Sequence, residues 1–418
     1  MIKINLPENV KYILHTLNNN GYEAYVVGGC VRDAVIDREP HDWDITTSAK
    51  PQEVMEVFKN FDVIPTGLEH GTVTVIIDDE FKTEITTFRL DGKYSDGRRP
   101  DNVEFTSDIV EDLKRRDFTI NAMAYNDEDG LIDPFNGRKD IKDKIIRCVG
   151  NPYDRFNEDG LRILRAIRFA AKLEFDIDDA TSDAIHELRH LLDNISKERI
   201  QGELCKILSS YNCGCKLLAR YNDVIKMFVN IRINFSHRLI MSNFGSLPSD
   251  EIGDDVITRL ALLFDRACYD SKFTYSNLKE LKFSNEIIGY TTQLISYCGV
   301  DIPTNKPEIK LLMNKLNNKQ MRRLIFLKKC MASLTEKSSP SIVQNILKSE
   351  TLFNEVLNNN ECYNLKQLAV NGDDLIEFGL PQGKHIGELL DYLLNLVIMG
   401  DIENKKEKLL KYIKENKY

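Results

Sequence analysis

Two glycines, followed closely by two aspartates, constrain this chain more than any other feature. Residues 25–27 are aromatic or β-branched and predict a strand, and the apolar spacing of residues 31–36 predicts a short helix. Gly28 and Gly29 would form the turn between them, where a triphosphate can approach the backbone and the N–H groups of a helix N-terminus. Arg32 adds a forked donor suited to phosphate oxygens. A glycine turn can also be purely structural, so the aspartates decide its interpretation.

Asp42 and Asp44 stand two residues apart, directly before Ile45. Side chains alternate between the faces of a strand, so these two carboxylates would point the same way and could hold divalent cations. Most Asp-x-Asp pairs are solvated surface pairs. Here Trp43 lies between the aspartates and Ile45 follows, as is typical of a strand that enters a core, and the sequence therefore predicts a metal site.

Glu84 lies on another alternating run, residues 84–89. A third carboxylate on a neighbouring strand would complete a catalytic set with Asp42 and Asp44. Two-metal sites of this kind stabilise the attacking and leaving oxygens in phosphoryl or nucleotidyl transfer. The alternative for Glu84 is an exposed strand glutamate without a catalytic role.

Four further segments follow in order along the chain. They are residues 113–123 (LKRRDFTINAM), 133–137 (DPFNG), 158–169 (EDGLRILRAIRF), and 196–199 (SKER) with Glu203 and Leu204. Together with the glycine turn and the aspartates, these motifs resemble the family of class II tRNA nucleotidyltransferases and bacterial poly(A) polymerases. The resemblance is specific over residues 20 to about 205, and beyond them it is only the general character of a helical body and tail.

The resemblance assigns the segments their roles. It implies that Gly28, Gly29 and Arg32 bind the nucleotide, together with a second set of side chains: Arg116, Asp159, Arg162, Arg165 and Arg168. It also implies Mg2+ as the cofactor, and tRNA, CTP and ATP as partners, with no membrane and no obligate protein partner. For Arg165 and Arg168 the alternative is a place on the solvated face of an amphipathic helix.

Asp159 and Arg162 have a physical reason to act together. If residues 159–173 form one helix, these two side chains are neighbours, and an apolar stripe of Ile163, Ala166, Ile167 and Ala170 fixes the helix in place. An aspartate and an arginine then present one acceptor and one donor. Cytosine and adenine carry an amine donor beside a ring-nitrogen acceptor, whereas uracil and guanine present the reverse pattern. Such a pair could select CTP and ATP without a nucleic-acid template.

The activity within the family depends on two other segments. Residues 89–101 are polar and glycine-rich, as in a mobile loop, and members of the family that add only cytidines resemble one another in lacking such a loop. Residues 65–75 look like the tRNA enzymes rather than the poly(A) polymerases. Addition of the full CCA end is therefore expected. An enzyme that adds only the adenosine, a poly(A) polymerase and a non-catalytic RNA-binding relative are the alternatives.

Hydrophobic patterning predicts an α+β fold. Residues 1–138 mix strands and helices and would form a small mixed-sheet head, followed by an all-helical neck (139–205), body (206–305) and tail (306–418), with candidate loops at 245–249 and 301–307. Helices are expected over 159–173, 179–192 and 197–208. The head would carry the metal site, the neck would select the base, and the tail would bind tRNA.

Composition sets the outer limits. The 418 residues suffice for two to four domains, contain no membrane-length apolar run and begin without a signal-peptide pattern, so a cytoplasmic enzyme is expected. Nine cysteines fit reduced thiols, and Cys213 with Cys215 lacks the second pair that a zinc site needs. The net charge of −9 is unusual for an RNA-binding protein. Local basic clusters at 319–329 and 405–411 could follow an RNA backbone, although a cluster of this kind, taken alone, is more often a solvated helix face.

Overall fold

The computed structural model describes residues 3–78, 81–92, 102–210, 217–218, 220–229, 255–268, 270–333 and 340–416. They belong to two compact units, Met1–Asn230 and Ile231–Tyr418. Three of the predicted features lie outside the described residues: most of the loop at 89–101, the Cys213 and Cys215 pair, and the break at 245–249.

The first unit is built on a seven-stranded mixed sheet with the order β3-β4-β5-β2-β1-β8-β9. Strands β2 and β5 run parallel, and the other neighbours are antiparallel. A separate hairpin joins β6 and β7. The strands are β1 (Ala24–Val27), β2 (Ile45–Thr47), β3 (Asp62–Gly67), β4 (Thr72–Ile76), β5 (Lys82–Thr87), β6 (Arg89–Asp91), β7 (Val103–Phe105), β8 (Ala124–Asn126) and β9 (Gly130–Ile132).

Helices cover the sheet and continue after it. They are α1 (Glu8–Asn19), α2 (Gly29–Val35), α3 (Pro51–Val57), α4 (Ile109–Lys114), α5 (Gly137–Asp143), α6 (Pro152–Glu158), α7 (Leu161–Leu173), α8 (Asp179–Glu187), α9 (Lys197–Leu208) and α10 (Asn222–Ile225). Short 3-10 turns lie at Leu68–His70, Thr119–Asn121 and Arg189–Asn194. The parallel pair β10 (Ile145–Ile146) and β11 (Asp176–Ile177) is a small addition to the predicted all-helical neck.

Alternation along β1 gives the sheet two apolar faces. Val26 packs in a core with α1 and α3, whereas Tyr25 and Val27 belong to a second core with Phe88 and Leu113. Because successive side chains point to opposite faces, one short strand can serve both cores. The mixed-sheet head predicted from the sequence is confirmed, and its strand β1 fixes the backbone that leads into the Gly28 turn.

Most of the predicted helices are confirmed, but their ends differ. The helix expected over 31–36 begins at Gly29, because the Gly28 turn leads directly into it. The helix expected over 179–192 ends at Glu187 and gives way to the 3-10 turn. The helix at 197–208 has the predicted ends. In α7 the predicted apolar stripe is fully buried at Ile163, Ala166, Ile167 and Ala170.

The second unit is helical throughout its described residues. Its α-helices are α11 (Val256–Cys268), α12 (Ser271–Glu280), α13 (Asn285–Cys298), α14 (Lys306–Lys315), α15 (Asn318–Ser333), α16 (Pro340–Asn358), α17 (Gly372–Glu377), α18 (Lys384–Met399) and α19 (Lys406–Glu415), with a 3-10 turn at Leu365–Gln367. The loop predicted at 301–307 separates α13 from α14. Across the described parts of both units, no helix combines the length and the apolar character that a bilayer crossing requires.

The basic cluster at 319–329 is partly used inside the second unit. Arg323 is buried and donates to the Asp255 carboxylate at 2.7 and 3.0 Å. The Lys328 ammonium donates to the carbonyl oxygens of Cys298 and Val300 at 2.5 and 2.6 Å. These two cations therefore stabilise the helix packing, and the prediction that the whole cluster follows an RNA backbone is wrong for them.

Candidate active site

A cavity of about 460 Å3 opens in the first unit, and most of the polar side chains predicted from the sequence line it. Its walls come from the glycine turn, the end of α4, and the α6–α7 segment. The lining residues are Gly28, Gly29, Arg32, Asp44, Arg115, Arg116, Asp117, Asn121, Asp159, Leu161, Arg162, Arg165, Phe169 and Arg199.

The glycine turn needs glycine at its first position. Gly28 has φ +81°, in the left-handed region, and its N–H donates to the Met123 carbonyl at 3.1 Å. A Cβ there would lie 3.1 Å from Nη1 of Arg116 and 3.8 Å from the Asn121 carbonyl oxygen. The left-handed backbone angle favours glycine, and a Cβ at this position would also press on the Arg116 side chain.

Arg32 projects from α2 into a nearly closed environment, with 4% of its surface exposed. Its Nε and Nη2 donate to one oxygen of Asp33 at 2.8 and 2.7 Å, and its Nη1 donates to Oδ1 of Asn121 at 2.7 Å. Bonds on both sides fix the plane of the guanidinium. Arg32 is thus a pre-oriented cation beside the glycine turn, as the phosphate-binding prediction requires.

Asp117 connects the phosphate side of the cavity to α7. Its Oδ2 accepts Nε and Nη2 of Arg165 at 2.8 and 2.5 Å, while its Oδ1 accepts the Asn121 amide at 3.1 Å. Burial raises the pKa of Asp117, but the charges of Arg165 and Arg162 and its hydrogen bonds outweigh that effect and bring the pKa to about 2. A carboxylate that is ionised at neutral pH therefore joins Arg165, through Asn121, to Arg32.

Phe169 forms an aromatic surface beneath three cations. The guanidinium carbons of Arg168, Arg32 and Arg165 lie 4.3, 5.2 and 5.5 Å from its ring centroid. Arg168 also lies 3.1 Å from the Glu203 carboxylate, measured from Nε to Oε2. Arg165 and Arg168 are therefore held inside the unit rather than placed on a solvated helix face, and Arg165 lines the cavity.

The three predicted catalytic carboxylates share one edge of the sheet. Strand β2 begins at Ile45, so Asp42 and Asp44 precede it instead of lying within it, although the Asp44 carbonyl still accepts the Val27 N–H at 3.0 Å. The parallel register pairs Ile45 with Ile85, which places Asp44 beside Glu84 one residue earlier. All three acidic residues are exposed, and of the three Asp44 lines the cavity.

These carboxylates suit a divalent cation in their chemistry. Partial burial raises the pKa of Asp44, Arg116 opposes that shift, and the negative charges of Glu84 and Asp42 add to it. A cation would offset this repulsion, and carboxylate oxygens are ligands that Mg2+ accepts. Among the described residues no three His, Cys, Asp or Glu side chains converge closely enough to hold a metal ion. The assignment of Asp42 and Asp44 as metal ligands stays a prediction.

Asp159 and Arg162 both line the cavity, but the first lies outside the helix. Helix α7 begins at Leu161, and Asp159 has an extended backbone with φ −146° and ψ 105°. Its Oδ1 accepts the Leu161 N–H at 3.0 Å, as a capping residue does, so the predicted helix start at 159 is wrong. Oδ2 accepts Nη2 of Arg199 at 2.7 Å.

Arg162 is held by its own set of acceptors. Nη1 donates to the Glu158 carboxylate at 2.5 Å and to the Arg155 carbonyl at 3.2 Å, and Nη2 donates to the Arg115 carbonyl at 3.2 Å. The donor of the proposed base-reading pair is therefore oriented by Glu158 and the backbone, and the acceptor by Arg199. Each member of the pair has separate support.

Several residues that shape the cavity were not predicted as site residues. They are Asp112, Arg115, Asp117, Asn121, Phe169 and Arg199. All lie within or beside the recognised motifs. The sequence contains one signal for some of them. Arg162, Arg165 and Arg168 lie on one largely buried helix, and buried cations need acidic side chains as partners.

Three family models match separate parts of the chain. Residues 24–147 match the poly A polymerase head domain, residues 174–214 match a probable RNA and SrmB-binding site of polymerase A, and residues 255–413 match the tRNA nucleotidyltransferase domain 2. The matches follow one another along the chain in the order expected from the motifs.

Relatives of known function match almost the full length. The chain is 33% identical over 411 residues to a CCA-adding enzyme of Enterococcus faecalis, covering 97% of this chain and 95% of that protein. It is 34% identical over 421 residues to a CCA-adding enzyme of Lactococcus lactis, covering 98% and 97%. A crystal structure of the Bacillus stearothermophilus CCA-adding enzyme in complex with CTP superposes with a TM-score of 0.75 at 31% identity, covering 98% of this chain and 96% of that one.

Proposed function

The chain belongs to the family of CCA-adding enzymes, and from that premise we propose that its cavity binds CTP and ATP in turn for addition to the 3′ end of tRNA. The enzyme adds C, C and A without a nucleic-acid template and releases pyrophosphate at each step. One observation supports this proposal most strongly. A single cavity is lined by the glycine turn with its oriented Arg32, by the Asp44 carboxylate, and by the acceptor–donor pair Asp159 and Arg162.

The phosphate end of the nucleotide is assigned to the glycine turn. Gly28 and Gly29 leave room for phosphate oxygens at the backbone, and Arg32 and Arg116 supply positive charge. Arg32 is already oriented by Asp33 and Asn121 at 2.7 to 2.8 Å, so it needs little reordering when the triphosphate binds.

The reacting centre is assigned to Asp42, Asp44 and Glu84. The 3′ hydroxyl of the tRNA attacks the α-phosphorus, the bond to the pyrophosphate breaks, and the hydroxyl proton leaves with solvent. Mg2+ held by Asp42 and Asp44 would stabilise the attacking and leaving oxygens. The assignment is supported by Asp44, which lines the same cavity as the glycine turn and the base-reading pair.

The base end is assigned to Asp159 and Arg162. The Asp159 carboxylate accepts the exocyclic amine of cytosine or adenine, and Arg162 donates to the adjacent ring nitrogen. Uracil and guanine would set acceptor against acceptor and donor against donor. Selection then resides in protein side chains, which agrees with addition that uses no template.

We further propose the four-part division of the chain into head (1–138), neck (139–205), body (206–305) and tail (306–418). Support comes from the cavity, whose glycine turn and Asp44 belong to the head and whose base-reading pair belongs to the neck. The tail, with its exposed lysines, is proposed to bind tRNA through shape and backbone contacts.

The test uses two tRNA transcripts, one ending at the discriminator base and one ending in CC, with Mg2+ and CTP, ATP or both. Growth by CCA on the first and by one A on the second is the expected result. Addition only to the CC end would identify an A-adding specialist, and long adenosine tails would identify a poly(A) polymerase. No addition to either transcript would leave a non-catalytic RNA-binding protein.

The same assay tests the carboxylates. Asp42→Ala and Asp44→Ala should abolish addition while tRNA binding and the fold persist. Asp143→Ala, an exposed aspartate outside the cavity lining, is the matched control and should add CCA at the wild-type rate. Turnover retained by either catalytic variant would remove Asp42 or Asp44 from the mechanism.

A further inference from the structure

Asp112 is a buried carboxylate directly behind the cavity, and the mechanism above gives it no role. It lies on α4, has no exposed surface and does not line the cavity. A charge without solvent contact is costly unless several donors compensate it, so the identity of those donors indicates what the residue does.

Four hydrogen bonds reach this carboxylate from residues at or near the cavity. Nε and Nη2 of Arg115 donate to Oδ1 at 3.0 and 2.8 Å, and Nη2 of Arg116 donates to Oδ2 at 3.2 Å. The Thr46 hydroxyl, two residues after Asp44, donates to the same Oδ2 at 3.4 Å. Burial raises the pKa of Asp112, but the two arginines outweigh that effect and lower it overall.

Arg116 connects Asp112 to the phosphate end of the cavity and to the carboxylates that are predicted to bind metal. The Nη1 atom of Arg116 lies 3.1 Å from the position of a Cβ on Gly28, and its charge lowers the pKa of Asp44. Its Nε is buried and has no hydrogen-bond partner among the described residues. Arg116 is therefore held by Asp112 on one side and turned toward the glycine turn on the other.

Arg115 connects Asp112 to the base end of the cavity. The carbonyl oxygen of Arg115 accepts Nη2 of Arg162 at 3.2 Å. The Arg115 side chain is fixed by Asp112, and its Nη1 also lies 3.7 Å from Oδ2 of Asp91, on strand β6. The acceptor that orients Arg162 thus belongs to a residue whose side chain is locked on the same buried carboxylate.

We propose that Asp112 is a positioning residue for nucleotide selection: it holds Arg116 toward the triphosphate and, through Arg115, fixes the backbone carbonyl that orients Arg162. Asp112 contacts neither nucleotide nor metal. This inference rests on the proposed function of the cavity and adds one point to it, that the phosphate end and the base end share a single anchor.

The test compares Asp112→Asn with wild type in single-nucleotide addition to the transcript that ends at the discriminator base. The KM for CTP should rise about tenfold or more, and the preference for CTP over UTP should fall about tenfold, with a smaller change in kcat. Asp140→Asn is the control, because Asp140 is also buried and also holds an arginine, Arg147 at 3.2 Å, but neither Asp140 nor Arg147 lines the cavity. It should keep wild-type KM and preference.

A double-mutant cycle separates positioning from general destabilisation. In an Arg116→Met background, Asp112→Asn should add little further increase in the KM for CTP, because the cation that it positions is already gone. Fully additive effects, or KM and preference values like those of Asp140→Asn, would overturn the proposal.

Two single variants keep the proposal testable if Asp112→Asn does not fold. Arg116→Met should raise the KM for CTP and UTP alike, whereas Arg115→Met should lower the preference for CTP over UTP. Absence of both effects would overturn the proposal. Lack of activity in the wild-type protein and in Asp140→Asn would instead count against the proposed function itself.

Discussion

The arginines around the cavity and the lysines of the last helices carry the same charge but are held in different ways. Arg32 and Arg165 are fixed by buried or half-buried carboxylates and amides, and both lie over the Phe169 ring. Lys405 and Lys411 are 65% and 72% exposed and form ion pairs with Glu403 and Glu415, glutamates of their own segment. The cavity arginines are therefore held in position before a ligand binds, whereas the exposed lysines can move to fit a ligand.

This difference matches the two roles proposed above, base selection in the cavity and tRNA binding by the tail. Choosing between bases requires donors and acceptors placed to within a fraction of an ångström, which buried ion pairs provide. Contact with an RNA backbone requires positive charge over a wide surface, and exposed lysines supply it with little structural constraint. The net charge of −9 is therefore compatible with tRNA binding, because many acidic residues, Asp112 and Asp117 among them, fix cations inside the first unit.

The largest effect is expected when a fixed pair in the first unit is broken. Asp117→Asn removes the charged partner of Arg165 and should lower the free energy of unfolding of this unit by on the order of 2–4 kcal/mol, because Arg165 would be left in a largely buried site. The single tryptophan, Trp43, is buried in the same unit, so its fluorescence during urea titration reports this transition. Asp143→Asn, which disturbs an exposed pair with Lys139 in the same unit, should leave that transition unchanged.

A shift of equal size in Asp143→Asn would contradict the difference between fixed and exposed pairs. So would an Asp117→Asn protein whose transition coincides with that of wild type.

Acid should reduce the difference in stability between wild type and Asp117→Asn. The pKa of Asp117 is about 2 in the folded protein against an ordinary value of 3.8, so its ion pair contributes about 2 kcal/mol above pH 4 that is lost as the pH falls toward 2. The gap in urea midpoint between wild type and Asp117→Asn should therefore narrow between pH 5 and pH 2.5. The variant cannot titrate at this position, which makes it the reference for the measurement, and a gap independent of pH would contradict the assigned pKa.

A small effect is expected for a lysine of the exposed set. Lys405→Ala should weaken tRNA binding equally for different tRNA sequences and reduce the salt dependence, the slope of log K against log salt, by about one. The KM for CTP should not change. Lys59→Ala, an equally exposed lysine on the sheet unit, is the control and should leave the salt slope as in wild type. A change in base preference for Lys405→Ala would contradict the proposed separation between base-selecting arginines and RNA-binding lysines.

The sequence predicted those parts of the site that depend on local rules. Gly28 was predicted from the strand–turn–helix pattern and has the left-handed φ that the turn needs, and the apolar stripe of α7 followed from helical spacing. The position of Asp159 was harder to predict, because its carboxylate caps the Leu161 N–H and the helix begins two residues later than the periodicity indicated. Helix periodicity alone does not show where a cap will form.

The supporting network could not be predicted from local pattern. Asp112 meets Thr46 across 66 residues of sequence, and Asp159 meets Arg199 across 40. Contacts over such separations depend on how the sheet and the helices pack, which spacing along one element does not contain. Asp112 and Arg199 were therefore missed as functional residues although both lie beside recognised motifs.

The most direct test of template-free base selection is a four-nucleotide competition with Asp159→Ala on the transcript that ends at the discriminator base. CTP, ATP, UTP and GTP are supplied together, and the added nucleotides are read by sequencing. Asp159→Ala should still add nucleotides, but its preference for cytidine over uridine at the first position should fall roughly ten- to a hundredfold. The control is Asp154→Ala, which changes an exposed aspartate on α6 and should keep the wild-type CCA end. An active Asp159→Ala protein that still adds only CCA would contradict this prediction.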